Sequence, residues 1–120
     1  TTQSSGFVTM NGKEVFKHAV VCLSEAAENA MKNAGINKDE IDWLIPHQAN
    51  IRIVDSVGER LVVPAEKVIV SLDHHGNTSA ASIPLALSEN HANGRLKKGD
   101  VVVLTAMGAG FTWGGAVVRL

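Results

Sequence analysis

Strand-patterned and helix-patterned stretches alternate along the chain, which predicts an α/β domain with a mostly parallel sheet flanked by helices. Three observations carry this. Short apolar or β-branched runs at 41–45, 68–72 and 101–105 separate segments whose apolar residues recur every three or four positions. Apolar residues make up 45% of the sequence and aromatic ones only 4%, so Leu, Ile, Val, Ala and Gly must fill the core, as happens where helices lie close on a sheet. The last run, 112–120, follows a glycine-rich turn too short to hold a crossover helix, so it reads as the antiparallel partner of the run before it.

Each element has a local cause. Residues 7–10 read as a short strand or an extended lead-in. Asn11 is placed to cap a helix, with Glu14 as its reciprocal partner. From there Val15, Phe16, Ala19, Val20, Leu23, Ala26, Ala27, Ala30 and Met31 mark one helical stripe, and Gly35 suits the left-handed cap that ends it. Asn37 and Glu40 repeat the capping pattern for one short turn. The strand at 41–45 stops at Pro46. A helix from Asn50 to Leu61 turns Ile53, Val54, Val57 and Leu61 inward and Arg52, Ser56, Glu59 and Arg60 outward. Pro64 opens a brief helical turn, and the run at 68–72 is the plainest strand of all. A helix over 78–90 begins with small residues and tolerates Pro84 near its first turn. Asn93-Gly94 ends it, and Lys98-Gly99-Asp100 turns the chain into the strand at 101–105.

Composition removes several functions. A chain of 120 residues is one domain with room for a real core. A net charge of −1 argues against general nucleic-acid binding, which needs a clustered excess of Lys and Arg. One cysteine excludes an internal disulfide and fits a reducing compartment. No apolar run has the length to span a bilayer, and no leader pattern opens the chain. A cytoplasmic protein, or a piece of one entered at an arbitrary point, is the expectation.

The chemistry concentrates at two strand-to-helix junctions. Ile45-Pro46-His47-Gln48-Ala49-Asn50 leaves the first strand, and His75-Gly76-Asn77-Thr78 leaves the second roughly thirty residues later, the length of one strand-helix-strand unit. Both then face the carboxyl edge of the sheet, where open α/β sheets bind ligands. Taken alone, His47 is more simply a cap on that edge, and Asn77 more simply a helix N-cap. Taken together they are two neutral hydrogen-bond donors, since the positive end of the following helix disfavours imidazolium. Two such donors on one oxygen stabilise an enolate or oxyanion without a buried charge. The loop Met107-Gly108-Ala109-Gly110 ends a third strand on the same side. No helix follows it, so a dinucleotide signature fails, while a plain hairpin turn and a loop offering a backbone N–H both remain open. Cys22 lies mid-helix on the apolar stripe and reads as core, not nucleophile. His18 and Cys22 are too few for a metal, and His74 and His75 point to opposite faces. Lys17 and Arg52 sit at helix starts, where cations are disfavoured, so an anionic partner or chance surface charge put them there.

Met10-Asn11-Gly12-Lys13-Glu14-Val15-Phe16-Lys17, Ile45 through Arg52, Gly76-Asn77-Thr78-Ser79-Ala80-Ala81-Ser82 and Phe111-Thr112-Trp113-Gly114 closely resemble the C-terminal half of the 3-oxoacyl-[acyl-carrier-protein] synthase III family, the ketoacyl synthase III branch of the thiolase-like condensing enzymes. The resemblance covers nearly the whole chain. It implies one thiolase-type half, a mixed five-stranded sheet flanked by helices, from a homodimeric acyltransferase whose N-terminal half is absent here. The implied reaction joins an acyl-CoA primer to malonyl-[acyl-carrier-protein] by decarboxylative Claisen condensation, which initiates fatty acid synthesis without a cofactor.

On this resemblance His47 and Asn77 match the family's catalytic pair, and Ala109 falls where a backbone N–H serves an oxyanion hole. Gly12, Phe16, Asn50 and Ile53 match positions along the tunnel for the pantetheine arm of CoA. Lys17 and Arg52 match positions facing the acidic acyl carrier protein. The family's cysteine belongs to the other half, and nothing here matches it, so the isolated chain is expected to be inactive. Met107, Glu59 and Val62 stand where relatives often carry Phe, Lys and Gly. Two alternatives are a related ketosynthase of secondary metabolism and a non-catalytic module that binds CoA or acyl carrier protein.

Overall fold

The computed structural model describes residues 12–48, 50–70, 82–108 and 112–120. The chain runs α1 (Gly12–Ala34), a 3-10 turn (Lys38–Glu40), β1 (Trp43–Pro46), α2 (Ile51–Arg60), a second 3-10 turn (Ala65–Lys67), α3 (Ser82–Ala92), β2 (Val101–Gly108) and β3 (Thr112–Arg119). Among the described residues the sheet has the order β1-β2-β3. β1 pairs parallel to β2, with Trp43 opposite Val102 and Pro46 opposite Thr105. β2 pairs antiparallel to β3 from Val101–Arg119 to Gly108–Thr112. The mixed α/β architecture with an antiparallel edge pair therefore stands.

Three of the five expected strands are formed among the described residues; the run at 7–10 lies outside them, and that at 68–72 is described only as far as Val70. The plainest strand of the sequence, 68–72, contributes one bridge, Leu44 to Val68, and one bond, Ile69 N–H to Leu44 O at 2.9 Å. A proline is the physical reason. In a parallel ladder the next donor toward Ile69 O would be the N–H of residue 46, and Pro46 has none. Residues 7–10, 71 and 72 lie outside the described part.

Alternation along the strands divides the core. Leu44, Val103 and Val117 point toward α1 and α2, where they meet Val20, Leu23, Ala27, Ile53, Val54 and Val57. Trp43, Ile45, Val102 and Leu104 point the other way, toward Ile83, Ala86, Leu87 and Leu96. α1 lies very close on β2 and β3. Thr105 Oγ1 donates to Leu23 O at 2.6 Å. A Cβ on Gly115 would stand 2.5 Å from Ala26 O, so only glycine permits that approach.

The three α-helices among the described residues end the same way. Gly35 N–H bonds Lys32 O and Ile36 N–H bonds Met31 O, and Gly94 and Arg95 repeat the pattern on His91 and Asn90. The same pair of bonds closes α2, from Val62 to Glu59 and from Val63 to Gly58. Here the left-handed position is held by a valine, at φ 57° and 76% exposed. A β-branched side chain is strained in that region.

Candidate active site

β1 delivers His47 at its carboxyl end. The His47 N–H bonds Thr105 O at 2.7 Å, one step beyond the last paired residue, so the backbone is held to β2 up to the histidine itself. The side chain is half-buried, and burial lowers the imidazole pKa below its ordinary value. Desolvation thus favours the neutral form expected from the sequence. A neutral imidazole at this place can donate one hydrogen bond and accept another.

The residues around it do different work. Asn50 Oδ1 accepts from Ile53 N–H at 2.9 Å, so Asn50 caps α2 and fixes how the helix leaves the corner. Ile53 is 4% exposed and belongs to the core under that first turn. Arg52 lays its guanidinium over the Phe16 ring, 4.8 Å from the centroid, which ties the first turns of α1 and α2 together. Phe16 is half-buried and Lys17 beside it is exposed. Phe16, Lys17 and Arg52, dispersed in sequence, thus share one end of the molecule. Gly12 is the first residue of α1. Asn77 and Ala109 lie outside the described residues, so the donor pair and the oxyanion N–H are located by chain position only.

Sequence reasoning passed over Gln48. Its side chain is fully buried, and Nε2 donates to Pro46 O at 2.7 Å and to Ile69 O at 3.2 Å. The available signal was a polar residue next to His47 in a corner otherwise built from apolar positions. Cys22 is 2% exposed, and burial and then the Glu25 carboxylate raise its thiol pKa, consistent with a packing role. Met107 packs against the main core, on the α1 side of β2. Among the described residues no cluster of His, Cys, Asp and Glu is suited to a metal ion. No helix among them is long and apolar enough to cross a membrane.

Two hollows open elsewhere. One of about 300 Å³ lies between α2 and the second 3-10 turn, lined by Asp55, Glu59, Val63 and Val68. Another of about 370 Å³ is shallow and mostly apolar, on the α3 side of β2 and β3, lined by Ile83, Leu104, Ala106, Gly114 and Ala116.

Comparison with known proteins sets these residues in a longer chain. Residues 31–120 match the family model described as 3-oxoacyl-[acyl-carrier-protein (ACP)] synthase III C terminal. The chain is 55% identical over 119 residues to the beta-ketoacyl-[acyl-carrier-protein] synthase III of Rhizobium meliloti (strain 1021), covering 99% of this chain and 37% of that protein. The crystal structure of the Thermus thermophilus beta-ketoacyl-[acyl carrier protein] synthase III superposes with a TM-score of 0.91 at 47% identity, over 100% of this chain and 37% of that one. The 3-oxoacyl-[acyl-carrier-protein] synthase III of Aquifex aeolicus gives 0.91 at 44% identity, over 98% and 38%. The chain thus spans little more than a third of the length of these relatives, with the thiolase-like α/β fold of their C-terminal part. With three quarters of its length matching that family model, the chain belongs to the 3-oxoacyl-[acyl-carrier-protein] synthase III family and corresponds to its C-terminal portion.

Proposed function

We propose that this chain is the C-terminal part of a condensing acyltransferase that joins an acyl-CoA primer to malonyl-[acyl-carrier-protein] and so initiates fatty acid synthesis. The observation that carries the reading is His47, held by Thr105 at the strand end and biased toward the neutral form by burial. As the malonyl thioester loses carbon dioxide, the electron pair of the breaking bond moves into the thioester and charge develops on its oxygen. A neutral imidazole N–H donates to that oxygen without introducing a competing buried cation, and the Asn77 amide supplies a second donor. The resulting carbanion attacks an acyl group carried on a cysteine of the missing N-terminal half. The backbone N–H of Ala109 receives the oxyanion of the tetrahedral intermediate, and the cysteine leaves as thiolate. All the chemistry comes from these residues and the two thioesters, with no resident cofactor.

The same reading assigns the surrounding residues. Gly12, Phe16, Asn50 and Ile53 line or support the pantetheine path. Lys17 and Arg52, both exposed near the starts of α1 and α2, face the acidic carrier protein. The missing half packs on the apolar hollow on the α3 side of β2 and β3, residues 7–10 and 68–72 complete a five-stranded sheet, and the full enzyme works as a cytoplasmic homodimer.

The deciding experiment compares the full-length protein with the 120-residue chain. The full-length protein is expected to take an acyl group from acetyl-CoA and to release carbon dioxide from malonyl-[acyl-carrier-protein], and the isolated chain to do neither. Acyl transfer to Cys22 in the isolated chain would sink the reading. Reversing Lys17 and Arg52 to Glu should weaken carrier-protein binding by about 10-fold or more, since each exposed ion pair is worth up to about 1 kcal/mol and reversal adds repulsion.

A further inference from the structure

β1 ends on a proline, and this leaves a gap in the hydrogen-bond ladder beside His47. Leu44 O accepts from Ile69 N–H at 2.9 Å. The next parallel bond should run from the N–H of residue 46 to Ile69 O, but Pro46 has no N–H. Ile69 is fully buried, and a buried carbonyl without a donor is costly. The Gln48 side chain fills the gap. Its Nε2 donates to Ile69 O at 3.2 Å and to Pro46 O at 2.7 Å. Two carbonyls converging on one end of the amide identify that end as nitrogen. Gln48 is itself 0% exposed, so an expensive polar group has been taken into the interior at this corner. On the other side of β1, His47 N–H is fixed to Thr105 O.

The geometry points to Gln48 as the positioning residue for His47: its side-chain amide replaces the missing proline N–H and locks the strand exit from which the imidazole projects. Gln48 acts by holding the backbone on one side of His47 while Thr105 holds the other. Without it, the chain after Pro46 loses its tie to Ile69, and the imidazole shifts relative to whatever the rest of the site presents. The catalytic part of this inference rests on the function proposed above.

The test uses the full-length protein and the substitution Gln48→Met, which keeps length and apolar volume but removes both N–H donors. We expect kcat for malonyl-thioester decarboxylation to fall about 100-fold, the scale of a 1 Å misplacement, with KM nearly unchanged. Acyl loading from acetyl-CoA should persist. The imidazole titration of His47, followed by NMR, should move up toward the ordinary histidine value as the corner loosens. Adding Pro46→Ala restores a backbone N–H and should recover part of both changes. Unchanged kcat and titration overturn the proposal. So does a fall in kcat that loading shares and Pro46→Ala does not relieve, because that is general damage. If the wild-type protein does not decarboxylate malonyl thioesters, the proposed function fails, and the imidazole titration alone then decides the role of Gln48. Should Gln48→Met not fold, Gln48→Glu, of the same shape, carries the same measurements.

Discussion

The two ends of β1 hold polar groups in opposite ways. At the amino end two carboxylates, Asp42 and Asp100, gather the side-chain bonds. Trp43 Nε1 donates to Asp100 Oδ2 at 2.9 Å, and Lys97 N–H bonds the same oxygen. Val101 N–H bonds Asp42 Oδ2, and Arg95 lies 4.9 Å from the centroid of the Trp43 ring while bonding the buried Asn90. These bonds hold Asp100 below its usual pKa, first through the Lys97 N–H and then through Trp43. At the carboxyl end the groups are neutral: His47, Gln48 and Asn50. At one end charged groups are spent on neutral donors, acceptors and a ring and close a structure, whereas at the other the amides and the His47 N–H hold the backbone with no charged group fixed beside the imidazole. The first arrangement suits a clasp and the second suits a site.

The sharpest way to break this comparison is His47→Ala in the full-length protein. Decarboxylation of malonyl thioester should fall by about 10²–10³, the usual loss for one oxyanion donor, with little change in melting temperature. Retained activity would make the carboxyl end merely another clasp. The mirror experiment is Trp43→Ala, which should remove about 2–3 kcal/mol of stability in urea unfolding, below the range for a fully buried aromatic because Trp43 is half-buried. Activity per folded molecule should stay unchanged.

A smaller effect concerns the helix ends. Gly35 and Gly94 take their left-handed turns freely, at φ 70° and 81°, but Val62 does so at φ 57° with its side chain in solvent. Val62→Gly should stabilise the protein by about 1 kcal/mol, read as a higher melting temperature. Gly94→Ala should cost a similar amount, since nothing stands within 4 Å of the added Cβ and only backbone strain acts.

The smallest effects are in pH. The folded pKa of His47 is lowered, so the unfolded chain binds the proton more readily. Its contribution is whole above the unfolded value near 6.5 and declines as pH falls toward the folded one. The folded pKa of Asp100 is lowered too, and its contribution is whole above about 3.8 and declines as pH falls through the folded value. Acid titration of stability should therefore weaken the carboxyl end first, a step that His47→Gln removes and Asp100→Asn leaves in place.

By itself the sequence determined what short-range rules can reach. Capping residues and periodicity located α1 and α2, β-branched runs located β2, and Cys22 was assigned to the core, because each depends on neighbours within one or two turns. His47 was legible as a strand-exit residue for the same reason. Tertiary structure decided the rest. The run at 68–72 yields only a bridge in its described part because a proline on another strand withholds the donor it needs. Arg52 rests on Phe16 because two helix starts meet in space. Gln48 became a structural amide because its acceptors come from two separate segments. Backbone ladders, ring contacts and buried carbonyls are satisfied across the fold, and residues far apart in the chain settle them together.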